Sequence, residues 1–171
     1  MKTVQHFGLL YILLVIAQAV ICNYFRLGPY ISLSLLPVLI LCLPLRQSTS
    51  LTMIIAFVTG LGVDILSEGL LGLNTLALLP VALLKKPVIK LIIGQEAFEK
   101  DEPFNMRYEG FGKIFLVVIM VQSIFLVLYI LADGAGARPL WFNISRFAAS
   151  LSCNAIFSML VIRLLNYEER R

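Results

Sequence analysis

The side chains best placed to do chemistry lie in one stretch, FVTGLGVDILSEGLLGLN, at positions 57–74. It sets two acids, Asp64 and Glu68, among Gly60, Gly62, Gly69 and Gly72, and Asn74 follows inside the next apolar run. An acid near the end of a membrane-length apolar segment is costly unless it meets water, a partner or a functional role. Gly60, Asp64 and Glu68 recur at i, i+4 and i+8, so they share one helix face. Three roles are open to Asp64: reaching water or capping the following turn, pairing with a buried cation, or binding a substrate or a proton. For the ion pair the expected partner is Arg146, which enters the last apolar run from the same side at a similar depth. Gly60 is the expected point of close helix packing, and Gly69 and Gly72 the shapers of the turn.

Little else in the chain suggests catalysis. His6 is the single histidine, and no H-E-x-x-H, phosphate-binding glycine loop or G-x-S-x-G occurs. No cluster of acids, bases or ligands converges, so no catalytic, cofactor or metal site is expected. Cys22, Cys42 and Cys153 are odd in number and lack C-x-x-C spacing, which leaves them as small packing residues. Asn74, Gln18, Gln122 and Asn154 are expected to hydrogen-bond between helices rather than to a ligand.

The elements that must position these residues are membrane helices. The 171 residues are 60% hydrophobic and 14% charged, with a mean hydropathy of +0.93. That composition indicates one all-α membrane domain over residues 1–171. The net charge of +4 comes from basic residues between apolar runs, a topology signal and not a nucleic-acid footprint. Six transmembrane spans are expected, at about 7–22, 31–45, 48–67, 68–86, 114–132 and 142–165. The first run reads as an uncleaved span and not a secretory leader, and Ile21 is too bulky for a lipoprotein cleavage site before Cys22. The second run should kink near Pro37, and Ser48 or Ser50 should cap the third helix. Residues 85–113 form the expected cytoplasmic loop. Its start mixes basic and apolar residues as a surface helix does, and its charged remainder is a solvated connection or a docking surface. With the N-terminus inside, eleven of the fourteen Lys and Arg residues fall on the cytoplasmic side, which predicts that both termini are cytoplasmic. Tyr24, Tyr30 and Trp141 fall at the expected outer boundaries.

Gly60, Asp64, Gly69, Gly72 and Asn74 in the central stretch resemble the signature of the MreD family, small rod shape-determining membrane proteins of bacteria. Length, span pattern and a longer polar loop after the fourth span are similar as well. The resemblance implies a non-enzymatic scaffold of the cell-elongation machinery (the elongasome) in the bacterial inner membrane. It implies MreC, a single-span protein, as partner, and a link from MreB filaments to peptidoglycan synthesis by RodA and its transpeptidase. A homodimer stays open. The family is itself distantly similar to the substrate-binding S components of energy-coupling-factor vitamin transporters, which implies an S-component-like helical bundle. A small-molecule transport subunit is therefore the alternative. Against it, Ala17 and Ala19 do not make the alanine-x-x-x-alanine docking pattern of such subunits, and the outer loops offer few polar groups. On the scaffold reading, the glycine-rich hairpin packs against a partner's membrane helix.

Overall fold

A computed structural model describes residues 2–24, 31–67, 71–94, 110–134 and 138–168. Among them the secondary structure is all helical: α1 Lys2–Tyr24, α2 Leu36–Leu41, α3 Thr49–Leu66, α4 Leu73–Ile92, α5 Phe111–Gly134 and α6 Leu140–Glu168. Three helical stretches, Thr49–Leu66, Phe111–Gly134 and Leu140–Arg163, are long and apolar enough to cross a membrane. The chain thus has the character of a membrane protein. Its exposed surface agrees, with Leu9, Ile12, Phe57, Ile65, Leu131 and Ile156 all outward, as a lipid solvent permits.

The core forms where α4 and α5 lie side by side, with α3 against α4 and α6 against α5. Ala77, Leu78, Val81 and Ile89 of α4 meet Ile114, Val117, Phe125 and Leu126 of α5 in one buried cluster. The short α2 sits inside this cluster, with all six of its residues buried. Ser48 caps α3 by accepting from the Leu51 N–H at 3.3 Å, as its position before the apolar run predicts. The hydroxyl groups of Tyr11 and Thr59 pair at 2.9 Å, and the Asn23 amide donates to the Leu66 carbonyl at 2.9 Å, so α1 and α3 end together.

Two expectations about the elements need correction. The run at 31–45 is not a kinked helix. Residues 31–35 are non-helical, and α2 begins only at Leu36, with Pro37 in its first turn. Proline fits there because a first-turn N–H has no intrahelical partner to lose. The fourth helix does not stop near Lys86 but continues to Ile92, with Pro80 and Pro87 inside it. Lys85, which the expected span at 68–86 and the expected loop at 85–113 share, therefore lies well inside a helix, and it is only 2% exposed. The charged connection expected at 95–109, and Glu68, Gly69 and Tyr30, lie outside the described residues.

Candidate functional site

Asp64 occupies the last turn of α3 and points at the start of α4. Its two carboxylate oxygens accept five hydrogen bonds: from the backbone N–H groups of Gly72 at 3.1 Å, Asn74 at 3.0 Å and Thr75 at 3.1 Å, from the Asn74 amide at 2.9 Å, and from the Thr75 hydroxyl at 2.7 Å. The first N–H groups of a helix have no partner inside it, and the positive end of its dipole favours an anion. Asp64 supplies that anion from the preceding helix. Although 1% exposed, its carboxylate is fully met by donors, which is what a buried charge needs.

The two glycines make this arrangement reachable. Gly72 has φ +90°, a left-handed conformation that lets the chain reverse directly into α4. Gly60 lies one turn before Asp64, and a Cβ placed there would stand 2.7 Å from the Thr75 Cα. Only a bare backbone lets α3 and α4 approach closely enough for Asp64 to reach Thr75. Gly60, Asp64, Gly72 and Asn74 thus form one unit inside the chain. Gly60 is covered by α4, so the close helix packing expected of it is made inside the chain and not against a partner helix.

The expected Asp64–Arg146 pair is also corrected. Arg146 is ion-paired with Asp133 at the end of α5, and Arg138 approaches the same Asp133 oxygen at 3.0 Å. Arg146 further donates to the Ser32 hydroxyl from Nε at 3.1 Å and from an Nη at 2.7 Å, and it lies over the Tyr129 ring. Similar depth in two helices does not bring two charges together. Asp133 stands thirteen residues before Arg146, on the preceding helix.

A second polar cluster surrounds residues 31–35. Gln18 of α1 donates to the Leu33 carbonyl at 3.2 Å and accepts from the Leu35 N–H at 2.8 Å. Asn154 of α6 donates to the Ser32 carbonyl at 2.9 Å and accepts from the Ser34 N–H at 2.9 Å. Each side-chain amide therefore bridges one residue's carbonyl and the N–H two residues on. A neighbouring strand makes that pairing in a parallel β-ladder. Ser150 accepts from the Ser32 N–H at 2.9 Å, and Gln122 of α5 donates to the Ser34 carbonyl at 2.8 Å. At the far end of the same segment, beyond α2, Lys85 donates to the Leu43 carbonyl at 2.6 Å. Gln18, Gln122 and Asn154 do hold elements together, but by satisfying the backbone of a non-helical segment and not by pairing helix with helix. Non-helical backbone is tolerated in a membrane bundle only where protein or water meets its polar groups. The sequence carried a signal for it: Ile31-Ser32-Leu33-Ser34-Leu35 alternates with the period of a strand.

Among the described residues no group of three or more His, Cys, Asp or Glu side chains could hold a metal ion. No protein-family model matches the chain, and neither curated proteins nor solved structures yield a match.

Proposed function

We propose that this protein is a non-enzymatic scaffold of the bacterial cell-elongation machinery, an MreD-like subunit of the inner membrane. In this role it binds the membrane helix of MreC and links MreB filaments to the RodA glycosyltransferase and its transpeptidase partner. The reading is carried by one observation: Gly60, Asp64, Gly72 and Asn74, four of the residues behind the resemblance, join in a single hydrogen-bonded and close-packed unit. A signature whose members depend on one another physically is a stronger basis for kinship than matching letters. The unit fixes the shape of the α3–α4 hairpin; the partner helix then meets an open face of the bundle and not the Gly60 face.

The proposed topology has six crossings with both termini cytoplasmic. Residues 31–45 make the second crossing as a broken element. Five strand-like residues cover ~16 Å and six helical ones ~9 Å, with a turn beyond them, close to a ~30 Å hydrocarbon core. Its start is held near the beginning of α6 by Arg146, and its end by Lys85 in the second half of α4. The bias of basic residues toward the cytoplasmic ends supports the same orientation. The vitamin-transporter alternative is weaker, because Gln18, Gln122, Ser150 and Asn154, the polar groups a central pocket would use, are already bonded to the chain's own backbone.

Co-purification tests the proposal. The tagged full-length chain, co-expressed with MreC and with an unrelated single-span protein of equal abundance, should retain MreC selectively. Equal recovery of the two would overturn the reading.

A further inference from the structure

The segment at 31–35 is held in an unusual way. Apart from the Ser32 hydroxyl, the groups of the segment that α1, α5 and α6 hold by hydrogen bonds are backbone ones. The clamp is made of side chains on helices that are complete without the segment. Seating it also leaves hydrogen-bonding capacity unused: the Ser34 hydroxyl is buried with no partner. A buried polar group without a partner disfavours the state that buries it. At the opposite end of the clamp Arg146 spans the Ser32 hydroxyl and Asp133, so one side chain joins the segment to the end of α5.

We propose that residues 31–35 form a releasable strap, seated in the amide clamp of Gln18 and Asn154 and latched by Arg146. The bundle then has two states. In the seated state the cleft between α1, α5 and α6 is filled; in the released state Gln18, Gln122, Ser150 and Asn154 are uncovered while α3, α4 and the Asp64 unit stay as they are. The latch works at Ser32 because that hydroxyl receives two of the guanidinium's donors. Charge-assisted bonds of this kind are the strongest single hold on the strap.

Thiol protection in the full-length, detergent-solubilised protein tests this. Ser34→Cys places a thiol on the strap where the serine hydroxyl makes no hydrogen bond. Native Cys42, buried just past α2, serves as an internal reference. Labelling by a hydrophilic maleimide is followed at each site by mass spectrometry. With Arg146 intact, position 34 should label slowly. Arg146→Ala should speed it by at least about tenfold, the effect of losing even one of its two charge-assisted hydrogen bonds to Ser32, with no change at Cys42. Ser32→Ala removes the same contact from the strap's side, keeps the Arg146–Asp133 pair, and should act in the same direction by a smaller factor. It decides the matter if Arg146→Ala does not fold. Labelling at 34 that neither variant changes would overturn the proposal. So would labelling at 34 and at Cys42 that rise in step, because the bundle would then be loosening as a whole.

Discussion

The α3–α4 hairpin and the segment at 31–35 solve the same problem in opposite ways. Both bring polar groups into an apolar bundle. In the hairpin, one charged side chain is satisfied mostly by backbone, with the Asp64 carboxylate receiving the N–H groups that open α4. In the segment, backbone is satisfied by side chains, with Gln18, Gln122, Ser150 and Asn154 supplied by three other helices. The hairpin's partners stand eight to eleven residues apart in the chain, whereas Ser34 and Asn154 are 120 apart. The first device can form as soon as its own two helices exist. The second needs the whole bundle. Local satisfaction gives a rigid unit, and distant satisfaction gives one that depends on every neighbour.

Substitutions should separate the two. The largest effect is expected from Asp64→Ala, which strands two buried N–H groups, the half-buried Gly72 N–H and the Thr75 hydroxyl at once. A loss of about 3–5 kcal/mol is expected, read as a fall in the midpoint of thermal or denaturant unfolding in detergent. Asn154→Leu comes next. It removes one donor and one acceptor from the segment and should cost about 2–3 kcal/mol by the same measurement. Combined with Gln122→Leu it should be non-additive, because both side chains hold the backbone of Ser34. Gly60→Leu should cost about 1–3 kcal/mol by forcing α3 from α4, while Gly62→Leu on the same helix should fall within about 0.5 kcal/mol. The contrast follows from space: a Cβ at Gly62 meets nothing within 4 Å. The smallest effect is a missing one. The charge exchange Asp64→Arg with Arg146→Asp should show no recovery over the summed single losses. A measurable recovery would revive direct pairing between these residues.

The same contrast explains what the sequence made legible. The Asp64 unit could be read because its members sit in one window, and a capping role for an acid just before a helix follows from elementary electrostatics. Gly60 was legible as a packing glycine, but not what it packs against, since either α4 or a partner satisfies the same pattern. The break at 31–35 was obscured by apolar content. Fifteen residues with two prolines and two serines average out as a span, although the serine alternation runs at strand period. Lys85 stands where the expected fourth span and the expected loop overlap, and a lysine at the end of an apolar run ordinarily reaches for water. Here the α2 end offers a carbonyl instead. Asp133 closes an apolar run with nothing nearby in sequence to mark it, and only the packing of α5 against α6 makes it the counter-ion of Arg146.

The dependence of the second segment on Asn154 also sets a clock on biosynthesis. When residues 31–35 leave the ribosome, the amide that closes their clamp is 120 positions from being made. At ~5–20 residues per second this is a wait of roughly 6–24 s. Throughout it the nascent segment must be sheltered by water, lipid headgroups or the insertion machinery. The backbone of this segment is therefore satisfied only once α6 has been made, and a ribosome stalled before α6 leaves an intermediate with unpaired backbone groups at Ser32 and Ser34, a natural substrate for quality-control proteases.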